Sequence, residues 1–108
     1  MIVATTSEIT NYKIIETIGL VKGNTIRVRH VGSDIVAGLR SLVGGEIPEY
    51  TKMMAGAREQ ALDRMIQDAQ SRGADAIVEM RITTSTVMKG AAEIVCYGTA
   101  VKIQPDHD

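Results

Sequence analysis

The chain has no phenylalanine, no tryptophan and one cysteine, and its aromatic content of 3% is three tyrosines. Each shortage excludes something. Without large rings, the core of this 108-residue chain has to be built from Ile, Val, Leu, Ala and Met, and the length suits one domain with no room for a second. Cys96 has no intrachain partner, so no disulfide framework is possible, and a reducing cytoplasmic setting is the expectation. Neither charge sign is in excess: 12 basic residues stand against 13 acidic ones. That balance provides no field to draw the chain onto nucleic acid or anionic lipid. No stretch approaches the ~20 apolar residues of a membrane span. Met1-Ile2-Val3-Ala4-Thr5-Thr6 also lacks the basic segment and long apolar run of a signal peptide, so neither a membrane nor an export route is expected.

The residues that are present read as an α+β domain. Ile2 to Thr5 is short and β-prone, and Ser7, Thr10 and Asn11 follow as a polar turn. Lys13 to Val21 carries apolar residues on both alternating faces, which predicts a strand covered on both sides. Lys22-Gly23-Asn24 reads as a turn, and Thr25 to His30 alternates with Ile26, Val28 and His30 on one side, so a hairpin is expected here. Ile35, Val36, Leu39, Leu42 and Val43 then recur at helical spacing between a Ser33-Asp34 start and a Gly44-Gly45 stop, predicting a short helix.

Pro48 opens a second, long helix whose stripe is Tyr50, Met54, Ala57, Ala61, Met65 and Ala69, running to Arg72 with Gly73 as its left-handed cap. Ala76 to Thr86 returns to period two, with Ala76, Val78, Met80 and Ile82 on one side. After a Lys89-Gly90 turn, Glu93 to Ile103 alternates Val95, Tyr97, Thr99 and Val101 with Ile94, Cys96, Gly98 and Ala100. The expected fold is an antiparallel sheet covered on one face by the long helix and the short one.

This arrangement leaves the second sheet face without enough polar residues to meet water. A homo-oligomer follows, with the small row Cys96, Gly98 and Ala100 admitting a close neighbour.

Leu39-Arg40-Ser41-Leu42-Val43-Gly44-Gly45, Tyr50, Ala57-Arg58 with Ala61, Met65 and Ala69, Gly73-Ala74-Asp75-Ala76-Ile77-Val78, Gly98-Thr99-Ala100-Val101 and the Thr5-Thr6 pair together resemble the YbjQ-like family, in order and over nearly the whole chain. The resemblance implies a dodecin-like β-α-β-β unit with extra strands, assembled as a ring oligomer, a pentamer. It also carries a heavy-metal-binding label. The chain departs from the family pattern in the strand after Gly73, where alternating acidic residues give way to Glu79-Met80-Arg81-Ile82-Thr83-Thr84, which weakens the transfer of a metal site to that strand.

Metal sites gather several Cys, His, Asp or Glu donors, and no paired motif such as C-x-x-C exists here. Cys96 and His30 are the candidate metal residues, with symmetry in a ring multiplying one thiolate into a soft site for a heavy-metal ion. The competing reading of Cys96 is a small buried hydrophobe. His107, between Asp106 and Asp108, reads as a solvated tail.

The candidate ligand or interface residues are Arg58, Asp75, Tyr50, Gly98 and Ala100. Arg58 stands either for an ion pair with Asp75 or for recognition of an anion in a subunit cleft. Lys22, Arg27 and Arg29 form a candidate basic strip. No catalytic residue is assigned: Cys96 lies mid-strand, away from any helix N-terminus, and the Glu59 and Asp63 pair reads as a solvated helix face. Three functions remain open: a ring that binds a metal ion or small ligand at subunit interfaces, a structural or interaction module, and a small enzyme with an interfacial site.

Overall fold

The computed structural model describes residues 1–28 and 48–106. The elements are β1 (Ile2–Val3), β2 (Tyr12–Val28), α1 (Pro48–Ser71), β3 (Ala76–Met88) and β4 (Ala91–Pro105). Together they form an α+β fold with one four-stranded sheet in the order β1-β3-β4-β2. The sheet is mixed and not purely antiparallel, because β1 runs parallel to β3 through Ile2 opposite Ala76 and Val3 opposite Ile77. The short helix expected from Ser33 to Gly45 lies outside the described residues.

α1 is the element most plainly dictated by its sequence. Met54, Ala57, Ala61, Met65 and Ala69 recur every three or four residues, and all are buried. The helix stops at Gly73, whose φ of +76° places it in the left-handed region. The Ala74 N–H donates to the Ala69 carbonyl and the Gly73 N–H to the Gln70 carbonyl, which satisfies two orphan carbonyls of the last turn.

The expected hairpin at Lys22-Gly23-Asn24 is absent: β2 is one continuous strand of 17 residues. Gly23 serves a different purpose. A Cβ built there would run into the Ala61 carbonyl and the Met65 amide and would lie 2.7 Å from the Arg64 Cβ. The glycine therefore lets the helix backbone settle directly on the strand, and the alanines of the α1 stripe do the same from the other side.

This close approach also decides which face of β2 is inside. Val21, Gly23 and Thr25 are buried under α1, while Ile26 and Val28 point to the open face at 56% and 71% exposure. The polar face goes inward because α1 offers partners to it. The Thr25 hydroxyl, 3% exposed, donates to the Ala57 carbonyl at 3.1 Å, and Arg27 Nη2 donates to Gln60 Oε1 at 2.9 Å. Two backbone groups on the outer edge of β2 are also taken by the helix: the Lys22 N–H donates to Asp68 Oδ2, and the Asn24 carbonyl accepts from Arg64 Nη1 at 2.7 Å.

In β3 the alternation slips at a bulge. Val78 pairs with Thr99, but Arg81 pairs with Tyr97, and Glu79 between them has a φ of +56°. Ala76 and Val78 consequently lie on the face away from α1, while Ile82, paired with Cys96, lies on the other. Ala76, Val78, Met80 and Ile82 were all expected on one side. Gly98 sits opposite the bulge, where an added Cβ would fall 2.6 Å from Ile77 Cγ2 and 3.1 Å from the Val78 carbonyl.

The core is thin, as expected of aliphatic residues without rings. Its main part joins Val21, Ile77, Ile94, Cys96 and Ala100 to the α1 stripe. A smaller cluster of Ala76, Val78 and Val101 lies on the opposite face, closed by Ile9 from the loop before β2. The described chain is long and flat, 59 × 24 × 16 Å, with a radius of gyration of 17.9 Å. A compact domain of this length would have one near 13 Å. The reason is the sheet: β2 spans about 56 Å and α1 about 36 Å. The helix packs mainly on β2 and β4 and hardly touches β3.

Candidate functional site

Cys96 lies mid-strand on β4, fully buried among the residues that line the underside of α1. Desolvation by burial pushes its thiol pKa up. The thiol is therefore protonated and shielded at neutral pH, unlike the exposed thiolate that attacks disulfides or takes a metal. It behaves as a small hydrophobe, and native protein is expected to react with a thiol reagent at pH 8 at least about a hundredfold more slowly than urea-unfolded protein. Equal rates in the two states would contradict this placement. The same shift sets a sign for stability: the buried neutral thiol is favourable below its ordinary pKa, and that contribution declines as pH rises through and above it.

The row Cys96, Gly98 and Ala100, expected to receive a neighbouring chain, is occupied from within. Cys96 and Ala100 pack beneath the chain's own helix, and Gly98 makes room for the β3 bulge.

The remaining candidates are scattered. Arg58 is exposed on α1, one position past the buried Ala57. Asp75 is also exposed, just before β3, where its Oδ2 accepts the Ile103 N–H at 3.1 Å. From Arg58 to the helix end the axis alone runs about 20 Å, so the two do not pair. Tyr50 sits in the first turn of α1, its side chain outside the described residues; His30 and His107 lie outside them as well. Lys22 and Arg27 fall on opposite faces of β2 and form no strip with each other, and Arg29 lies outside the described residues. Glu59 and Asp63 are exposed along α1, as a solvated helix face requires.

Two features were not singled out beforehand. Arg81 is anchored at the bulge by Thr5 and Met80 carbonyls at 2.9 and 2.8 Å and by Glu79 Oε2 at 3.1 Å. A groove of about 680 Å³ also opens beside the loop that precedes β2, lined by residues 6–14 and Asp106. The only sequence signal for either was the polar stretch from Ser7 to Asn11.

Among the described residues, no group of three His, Cys, Asp or Glu side chains is placed to hold a metal ion. With Cys96 sealed in the core, the described part of a single chain does not fit a heavy-metal site.

A family model described as "Putative heavy-metal-binding" matches residues 1–104. The chain belongs to the YbjQ family. Among the relatives of this YbjQ chain, a UPF0145 protein of Methanosarcina acetivorans is 56% identical over 103 residues, covering 95% of this chain and 97% of the other. A UPF0145 protein of Photobacterium profundum is also 56% identical, covering 95% of this chain and all of its own. Among solved structures, a protein of unknown function in the DUF74 family from Pediococcus pentosaceus superimposes with a TM-score of 0.61 at 14% identity, over 96% of this chain and 98% of that one. That likeness speaks for the fold. No helix among the described residues is long and apolar enough to cross a membrane.

Proposed function

We propose that this YbjQ chain works as a cytoplasmic homo-oligomer, a pentameric ring, in which a heavy-metal ion or small ligand is held between copies. One observation carries the reading: the sheet face away from α1 leaves Leu20, Ile26, Val28, Met88 and Tyr97 exposed, at 60%, 56%, 71%, 66% and 37%. Isolated apolar residues on a surface are ordinary, but these lie on adjacent strands. Leu20 neighbours Lys22, which pairs with Tyr97, and Val28 pairs with Ala91, itself the partner of Met88. Covering them with other copies of the chain removes apolar surface from water, at roughly 25 cal/mol per Å².

The family description supports metal as the ligand, and the lack of a donor set among the described residues of one chain is in keeping with a site shared between chains. That same lack favours the alternative, a structural or interaction module without metal. Metal analysis of protein purified without an affinity tag separates the two. An ion at a fixed ratio to the assembly, lost when the assembly is dissociated, supports the first; an assembly free of metal and indifferent to added copper(I) supports the second.

A further inference from the structure

We infer that the outer edge of β3 from Ile82 to Met88 is the strand along which a second copy of this chain adds, presenting its β2 edge from Tyr12 to Leu20. This rests on the oligomeric reading above and names the surface that makes it.

Among the described residues, the outer side of β3 is occupied only at its start. β1 pairs with Ala76 and Ile77, and the Glu79 and Met80 amides donate to the Thr6 and Ala4 carbonyls. From Ile82 onward no described strand lies on that side. The segment Ile82-Thr83-Thr84-Ser85-Thr86-Val87-Met88 is exposed at every position, on both faces, because α1 sits over β2 and β4. Its composition is that of a paired strand: β-branched, without proline and without charge. Soluble proteins protect a free edge with lysine, proline, a bulge or a cover; here the bulge at Glu79 comes before the open stretch and a second irregularity, between Thr86 and Met88, falls only at its far end, which leaves Ile82 to Thr86 regular. An uncharged β-prone edge of this kind calls for a partner strand.

The occupant is a second copy for three reasons. The edge carries no charge, so two copies meet without like-charge repulsion. It is continuous with the open apolar face, since Met88 pairs with Ala91 and Ala91 with Val28. The chain also brings its own complement: among the described residues no strand lies on the outer side of β2 from Tyr12 to Leu20, a stretch with register shifts at Ile14/Glu16 and Thr17/Gly19 in which Ile14, Ile15 and Leu20 are exposed at 39%, 53% and 60%. Pairing one edge with a different edge is head-to-tail, which is the geometry that closes into a ring.

The test compares the full chain with two variants by sedimentation at micromolar concentration, with hydrogen exchange read on residues 82–88. Thr84→Lys with Ser85→Lys puts a charge on each face of the β3 edge, and Ile15→Lys does so independently on β2. The expected result is an assembled wild type whose Ile82–Met88 amides exchange at least about tenfold more slowly than those of the variants, with both variants falling to 11.6 kDa while keeping the wild-type circular dichroism spectrum. An assembled wild type with either variant still assembled overturns the edge assignment and leaves the oligomer standing. A monomeric wild type overturns both.

Discussion

Replacing Gly23 with alanine is expected to be among the most damaging single changes, lowering unfolding free energy by about 3 kcal/mol. The added methyl meets the Ala61 carbonyl and the Met65 amide, which are backbone atoms of a regular helix and cannot rotate away as a side-chain tip would. α1 has to lift from β2, and the hydrogen bonds from Thr25 to Ala57 and from Arg64 to Asn24 lengthen with it. Against a total stability of 5–15 kcal/mol typical of small domains, that loss is a large fraction. Urea unfolding at one fixed protein concentration measures it, since an assembling protein has a concentration-dependent midpoint. Gly56→Ala is the matching control. Gly56 is exposed on α1 with open space where a Cβ would go, so alanine there is expected to raise stability by about 0.5–1 kcal/mol. A Gly23→Ala protein as stable as wild type would mean that helix and strand do not touch as described.

Met65→Ala is expected to follow closely, with a loss of about 2–5 kcal/mol. Among the described residues Met65 is the largest fully buried side chain, and it lies between the helix and the β2–β4 part of the sheet. The described cluster it belongs to is mostly Ala, Val and Ile, residues too short to reach into the space it leaves. Met65→Leu, which keeps the volume, is expected to lose less than about 1.5 kcal/mol. The contrast between the two, read in the same urea experiment, distinguishes a filled core position from a merely apolar one. If both variants behave alike, Met65 does not pack where the structure places it.

Residues whose patterning has one explanation were readable in the sequence. The α1 stripe, the Pro48 start, the Gly73 cap, the Lys89-Gly90 turn and the alternation of β4 all depend on local periodicity or on a backbone conformation that one residue type favours. Gly90, with a φ of +77°, is the turn residue it was expected to be. What failed were residues whose role is set by a distant neighbour. Gly23 between two polar residues has the local signature of a turn, and only the backbone of α1 reveals it as a contact point. Thr25 and Arg27 read as the outward face of a strand until Ala57 and Gln60 are seen beneath them. The bulge at Glu79 leaves no mark in period-two counting, yet it turns Ile82 to the opposite face from Val78.

The site was less legible than the fold for a related reason. Small residues such as Cys96, Gly98 and Ala100 mark a close approach without naming what approaches, and here the chain's own helix and bulge fill that role. Among the described residues, the apolar excess that pointed to self-assembly lies in Leu20, Ile26, Val28 and Met88 on the open face and along the outer edge of β3. An interface built from these residues gives each of them a function that no contact within the described chain supplies.

Native mass spectrometry of the untagged 108-residue chain at low micromolar concentration is the most direct test of ring assembly. A single dominant species at five times 11.6 kDa is expected, with any bound ion carried by that species alone. A dominant species at 11.6 kDa would contradict it.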